Sequence, residues 1–337
     1  MNILAIESSC DETAAAVVRD GKTVLGCSIA SQIPIHRRFG GVVPEVASRA
    51  HLEQITTVVS ECLEDAKLTL SDVDAIAATV GPGLLGSLMV GAHFARGLAS
   101  ASGKPFIPVN HLEGHLAANF IDRNPDEVPY PALGLVVSGG HTLIVSIPKP
   151  GTYELVGQTL DDAAGEAFDK VAQLLSLPYP GGPEIEKAAS TGKSTDFSFP
   201  RAITTQTERK AKNYNLSFSG LKTAVSLTFQ HSRQGSANSI AAAFQEAVVD
   251  ALRIKLSWAI EDKQPKSLLA GGGVVANASV KRMLQELGNK YDIPIFIPPM
   301  KLCTDNAIVI GAAAFHHQPL TDSQPLSLDP NLPLATA

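Results

Sequence analysis

His111 and His115 stand four residues apart in Asn110-His111-Leu112-Glu113-Gly114-His115, which reads as the first turns of a helix. At about 100° per residue the two imidazoles share one face, a spacing that suits a metal ion. Asn110 reads as the N-cap, and Glu113 three residues on can complete a capping box, fixing where the helix starts and where the rings point. The hexapeptide also fits an incidental pair of partly buried histidines. Two ligands do not make a site, so a metal reading requires at least one more from elsewhere. In the helical zinc-protease pattern the general base adjoins the first histidine. Glu113 is instead two residues past His111, roughly 200° round the helix, which disfavours a peptidase.

The elements around this pair alternate in type. Asn2–Ile6 and Thr13–Val18 read as strands joined by Glu7-Ser8-Ser9-Cys10-Asp11-Glu12, and Lys22–Ser28 as a third. A long helix follows Pro44, with Val46, Leu52, Ile55, Val58, Val59, Cys62 and Leu63 as its apolar stripe. Strand Asp74–Val80, helix Leu84–Ala101 and strand Phe106–Val109 then deliver the chain to the histidines. The order starts again at Ala132–Ser138, a turn at Gly139-Gly140, His141–Ile147 and Thr152–Gln158, with Thr142 standing where Thr13 stood. A helix from about Asp162 to Leu175 and a rigid turn at Pro180-Gly181-Gly182-Pro183 follow. Helices near Leu221–Gln230 and Ile240–Asp262, strand Ser267–Ala270, Gly271-Gly272-Gly273, helix Ala276–Leu287, strand Pro294–Ile297 and a helix Thr304–His317 complete the pattern. These strand–helix alternations predict two α/β domains: a first lobe at 1–121, a linker at 122–131, a second lobe at 132–317 and an irregular tail at 318–337.

Composition narrows the class. The 337 residues are 45% hydrophobic and 18% charged, a globular balance with no stretch of about 20 apolar residues to span a membrane. The start, Met1-Asn2-Ile3-Leu4-Ala5-Ile6-Glu7, has no basic region and is unlike a signal peptide, so a cytoplasmic protein is expected. Cys10, Cys27, Cys62 and Cys303 form no paired framework. The net charge of −6 argues against a protein that coats nucleic acid. A basic helical insertion at about 187–222, with seven basic residues and two acids, nevertheless carries +5 and leaves −11 elsewhere. Its arginines and lysines are candidates for RNA phosphate contacts, or for a solvated loop.

Two α/β halves, each opening with a β-hairpin, resemble the superfamily of actin, the heat-shock ATPases and the sugar kinases. The implied fold class is a two-lobed actin-like/sugar-kinase-like ATPase fold with duplicated halves and a central cleft for nucleotide. Six motifs narrow this further: Ile6-Glu7-Ser8-Ser9-Cys10-Asp11-Glu12-Thr13, Gly40-Gly41-Val42-Val43-Pro44-Glu45 with Ala47-Ser48-Arg49, His111-x-x-x-His115, Val137-Ser138-Gly139-Gly140-His141-Thr142, Ser217-Phe218-Ser219-Gly220-Leu221-Lys222-Thr223 and Cys303-Thr304-Asp305-Asn306. In order and spacing they closely resemble the bacterial TsaD (Gcp/YgjD) family.

The resemblance implies transfer of a threonylcarbamoyl group from threonylcarbamoyl-AMP to N6 of adenosine-37 in tRNAs reading codons that begin with A. It implies one divalent metal per subunit on His111, His115 and Asp305, Fe2+ in this family, while the donor set also accommodates zinc. Val136, Val137, Ser138, Gly139, Gly140, Asp169, Gly182 and Asn277 would bind the adenylate; Glu186 stands where many relatives have Asp. Implied partners are tRNA through its anticodon loop, a shorter paralogue of the same fold, a P-loop ATPase and a separate donor-synthesising enzyme. Glycine turns such as Ser138-Gly139-Gly140 expose backbone N–H groups to phosphate, and Asn277 in a helix's first turn can bond ribose or base. The amine must lose a proton on attack, and on position alone Asp11 or Glu12 at the first hairpin tip is the candidate acceptor, with Asp11 taken as the catalytic residue. Competing readings are an ATP-dependent small-molecule kinase, which has no use for the histidine pair, and a non-catalytic nucleotide-binding scaffold.

Overall fold

The computed structural model describes residues 1–123, 127–231, 236–321 and 324–334. Parts of the expected linker (124–126) and tail (322–323 and 335–337) lie outside them. The chain divides into two compact units: Met1–Val128, Pro150–Thr152 and Thr304–Ala337 form unit 1, and Pro129–Lys149 with Tyr153–Cys303 form unit 2.

Unit 1 opens with β1 (Asn2–Glu7), β2 (Glu12–Arg19) and β3 (Thr23–Ser31), an antiparallel meander. After the short α1 (Ile33–His36) come α2 (Pro44–Ala66), β4 (Ala75–Gly81), α3 (Leu85–Ser102), β5 (Phe106–Asn110) and α4 (His111–Ala117). β4 is buried throughout, as a parallel strand covered on both faces must be. The sheet order is β3-β2-β1-β4-β5. Ala47, Ala50, His51, Ile55, Val58, Val59 and Cys62 face the core from α2. Leu52, expected in that stripe, is 69% exposed: His51, one residue earlier, holds the inward phase.

Unit 2 repeats this topology with β6 (Ala132–Val137), β7 (Thr142–Lys149), β8 (Thr152–Gln158), β9 (Ser267–Gly271) and β10 (Ile295–Phe296), in the order β10-β9-β6-β7-β8. Each sheet is thus a hairpin-based meander followed by two parallel strands, which is the duplicated α/β architecture of the actin-like ATPase fold. Its helices are α5 (Ala164–Leu174), α6 (Gly181–Ala189), α7 (Gln206–Lys210), α8 (Ser219–His231), α9 (Ala237–Lys263) and α10 (Ala278–Tyr291). The expected turn at Pro180–Pro183 is the start of α6, where Pro183 sits in a first turn that leaves its missing N–H harmless.

The last helix, α11 (Ala307–Ala314), is shorter than Thr304–His317 and belongs to unit 1, whereas the chain order placed it with the second lobe. Every residue of it is buried, so it is a core helix, and it packs on β1, β2 and α4. The following segment is irregular but docked: Leu320 N–H donates to Phe106 O (2.8 Å), and Leu326, Leu328 and Leu332 pack on the unit 1 core. Among the described residues no helix is long and apolar enough to cross a membrane.

Candidate metal centre and nucleotide site

β5 ends at Asn110, whose side-chain oxygen accepts from Leu112 N–H at 2.9 Å and starts α4. The other half of the expected capping box is not made. Glu113 instead meets His317 Nε2 at 2.5 Å through its Oε2, within unit 1. All seven residues of α4 are buried. Gly114 faces α11 so closely that a Cβ there would lie 2.8 Å from Ile310 Cδ1 and 3.2 Å from Val309 Cγ2. That close approach lets α11 and the bend before it lie against the histidine helix. Asp305 sits in that bend, one residue before the N-cap Asn306 rather than inside the helix.

Asp305 Oδ1 lies 3.5 Å from His111 Nε2 and 3.6 Å from His115 Nε2, and the three donor atoms are all within 4.8 Å of one another. These distances exceed an ordinary hydrogen bond. Ligands held at about 2.1 Å by one ion stand roughly 3.0–3.4 Å apart, so a small contraction fits all three around a metal. Behind the site, His111 Nδ1 is 3.1 Å from Glu7 Oε2, at the end of β1. Glu7 also accepts from Thr79 Oγ1 (2.6 Å) and Ser9 N–H (2.5 Å). A carboxylate on Nδ1–H leaves the Nε2 lone pair facing Asp305, the arrangement metal-binding histidines use.

Charge tells the same story. Burial alone would raise the Glu7 carboxyl, yet His111 and the bonds from His111, Ser9 and Thr79 hold it at about 2. Burial would lower His111, but Asp305 and Glu7 lift it to about 9. Asp305 is lifted to about 6 by burial, with Glu7 and Asp11 adding and His111 opposing. Several acids crowded into a dry site call for a cation.

The hairpin tip between β1 and β2 is held by its carbonyls: Leu84 N–H donates to Ser9 O (2.8 Å), His51 Nε2–H to Cys10 O (3.0 Å) and Gln32 N–H to Asp11 O (3.0 Å). Glu12 Oε1 accepts from Ser31 Oγ (2.8 Å), while its buried Oε2 has no hydrogen-bond partner among the described residues. Burial, with Asp11 and Asp305 adding, raises Glu12 to about 7 although the Ser31 bond opposes it.

In unit 2, Val136 and Val137 end β6, and Ser138 closes the turn by donating its N–H to His141 O (2.8 Å). Gly139 and Gly140 are exposed, and a Cβ on either would meet nothing within 4 Å. Gly165 N–H, at the start of α5, donates to Ser138 O (3.2 Å), setting that helix terminus beside the turn. Gly272 adopts φ +97°, and a side chain there would collide with Val137 O, so only glycine lets the β9 turn press on β6. Asp169 Oδ1 accepts from Gly181 N–H (2.7 Å) and Glu186 Oε1 from Ala278 N–H (2.8 Å), tying α5, α6 and α10 around Gly182. Asn277 is the N-cap of α10 rather than part of its first turn: its Oδ1 accepts from Ser279 and Val280 N–H, and its Nδ2 donates to Gln245 Oε1 (2.8 Å).

The family model described as TsaD: tRNA N6-adenosine threonylcarbamoyltransferase matches residues 23–312. The tRNA N6-adenosine threonylcarbamoyltransferase of Moorella thermoacetica is 51% identical over 339 residues, covering 99% of this chain and 97% of its relative. The chain belongs to the TsaD family. Among solved structures, HypF of T. kodakarensis superposes with TM-score 0.63 at 14% identity, covering 93% of this chain and 47% of HypF. Component A of the (R)-2-hydroxyglutaryl-CoA dehydratase of Acidaminococcus fermentans gives TM-score 0.53 at 15% identity, over 93% of this chain and 96% of that one. At such identity these two likenesses speak for the fold alone.

In this TsaD-family chain part of the basic insertion is paired within the fold. Arg201 pairs with Asp250 (2.8 Å), Arg209 with Asp262 (2.5 Å) and Glu261 (3.2 Å), and Lys222 with Asp162. Three of the seven basic residues are therefore tied to acids of α9 and of the bend before α5, so the +5 is not all free positive surface. Two positions carry more than the sequence reading gave them. Glu7 is signalled only by an acid closing an apolar strand, and Gln245, which orients Asn277 and donates to Ser279 Oγ (3.1 Å), has no signal at all.

Proposed function

We propose that the protein transfers the threonylcarbamoyl group from threonylcarbamoyl-AMP to N6 of adenosine-37 in tRNAs that read codons beginning with A, and that it does so in the cytoplasm. Membership of the TsaD family supports the reaction, and the observation that carries the site is the convergence of His111, His115 and Asp305 at ligand spacing. A divalent ion bound there, Fe2+ or zinc, supplies a Lewis acid for the donor's carbonyl.

In this reading the chain's own groups place the reactants. The turn after Ser138 receives the adenylate phosphate on the backbone N–H groups of Gly139 and Gly140, and the α5 terminus adds its dipole. Asp169, Gly182 and Glu186 frame the nucleoside, and Asn277, fixed by Gln245, keeps one Nδ2–H beyond its protein bonds for the ligand. The adenine amine attacks the carbonyl carbon, the bond to the AMP oxygen breaks, and the amine's proton passes to a carboxylate. Glu12 takes that role in preference to Asp11, because its Oε2 is unpartnered and its burial tunes it to about 7. The kinase and scaffold readings leave the triad without work.

The exposed apolar side chains Leu52 (69%) on α2 and Leu85 (50%) and Met89 (49%) on α3, where Gly86 meets Ser48, form the docking face for the shorter paralogue. The P-loop ATPase joins that assembly. Depletion of the protein followed by mass spectrometry of tRNA nucleosides tests the function: threonylcarbamoyladenosine should disappear, and an unchanged level would overturn the proposal.

A further inference from the structure

Arg19, Arg96, Arg123, Arg201, Arg209 and Arg253 each donate to an oxygen of the chain. Among the described residues Arg37, Arg38, Arg49 and Arg282 have no such partner, and three of these four lie between β3 and the second turn of α2. The only acid in that stretch is Glu45. Arg37, Arg38 and Phe39 are exposed at the crest of an arch, Phe39 to 50%, and the Arg38 guanidinium lies 4.7 Å from the centre of the Phe39 ring. In a chain of net charge −6, guanidiniums without an acid partner beside an exposed aromatic ring need a reason. Unpaired RNA supplies one, since phosphates take the guanidiniums and an unstacked base takes the ring.

The arch is rigidly footed. His36 is fully buried beneath it, with Nε2 donating to Gln32 Oε1 (3.1 Å) and Nδ1 accepting from Val43 N–H (3.3 Å). Gln32 Nε2 donates to His51 Nδ1 (3.2 Å), while the Gln32 backbone and His51 Nε2 hold Asp11 O and Cys10 O. One buried network therefore fixes both the arch and the acidic hairpin tip. A strand gripped by the arch is held in a set relation to Asp11 and Glu12.

We propose that Arg37, Arg38 and Phe39 form the surface on which the unpaired anticodon loop of the tRNA docks. This rests on the transferase reading. The test uses the full-length protein, an anticodon stem–loop RNA and a fully paired RNA of equal length, with binding followed by fluorescence anisotropy at several salt concentrations. In Arg37→Gln/Arg38→Gln the slope of log K against log salt should flatten by about 1.4, roughly 0.7 for each lost contact to single-stranded RNA. Phe39→Ala should weaken the stem–loop about tenfold at fixed salt and leave the paired RNA unchanged, whereas Phe39→Tyr keeps the stack and the affinity. Melting temperature and bound metal should not change, because all three side chains are exposed. Parallel salt plots for wild type and the double variant would overturn the proposal. So would a Phe39→Ala that weakens both RNAs alike, or variants that keep RNA affinity and lose only a protein partner. Wild-type protein that binds the stem–loop here but forms no threonylcarbamoyladenosine would remove the transferase reading and leave this docking surface standing.

Discussion

Glu7→Gln isolates the contribution of the carboxylate behind His111. Glu7 accepts three hydrogen bonds, from Ser9 N–H, Thr79 Oγ1 and His111 Nδ1. A glutamine of the same shape offers one carbonyl oxygen, so its NH2 must face either the backbone N–H or the Thr79–His111 pair. Thr79 can rotate its hydroxyl and accept; His111 either gives its Nδ1–H to Ser9 Oγ at 3.2 Å, losing the charged partner, or accepts at Nδ1, which places its proton on Nε2 and blocks the ligand lone pair. The loss is that of one hydrogen bond to a charged group, about 1.5–3 kcal/mol. It corresponds to the 10- to 100-fold fall in metal affinity, about 1.4–2.8 kcal/mol, that follows removal of such a supporting carboxylate. Titration of the apo protein with Fe2+ or Zn2+ against a chromophoric chelator measures this, with circular dichroism confirming that the variant folds. Affinity within twofold of wild type would refute the reasoning, because His111 would then not depend on Glu7 for its tautomer.

Other consequences follow from single contacts. Gly140→Val should abolish binding of a non-hydrolysable adenylate analogue in calorimetry while leaving the melting temperature unchanged, since Gly140 is exposed and a Cβ there would meet no protein atom within 4 Å. Arg209→Ala should destabilise unit 2 by about 1–2 kcal/mol in urea denaturation, a partly exposed ion pair with bidentate geometry, and leave the salt dependence of tRNA binding as it was. Lys255 is buried in α9 with Nζ donating to Ile203 O (2.7 Å) and Asn213 O (2.5 Å), and burial lowers it to about 8. Between that value and the usual lysine range the unfolded chain binds the extra proton, so folding stability gains as pH rises through this window. Measured against Lys255→Met, the wild-type protein should become relatively more stable from pH 7.5 to pH 10; a difference independent of pH would show that Lys255 stays charged.

What could be read from the chain and what could not divides by the range of the contact. Alternation in Asn2–Ile6 and Thr13–Val18, glycine turns and the apolar run Asp74–Val80 are local signals, and the strands form where they indicate. The spacing of His111 and His115 likewise survives in α4. Chain order is a poor guide to α11, because a helix buried on every face goes wherever a core accepts it, and β1, β2 and α4 do. Charge counting fails at Arg201 and Arg209 because their acids lie about fifty residues downstream on α9. Glu113 looks like a cap by position, but His317 claims one of its carboxylate oxygens, and Gln245 orients Asn277, through contacts no local pattern encodes.

The metal triad must be coupled to tRNA chemistry for the transfer to proceed. The direct measurement is nucleoside mass spectrometry of unmodified tRNA incubated with threonylcarbamoyl-AMP, metal-loaded protein and its partner proteins, with wild type set against His115→Ala and Asp305→Asn. Wild type should form threonylcarbamoyladenosine, and both variants should fall to background and lose bound metal while keeping the wild-type fold by circular dichroism. Variants that modify tRNA at the wild-type rate, with metal absent, would contradict that coupling.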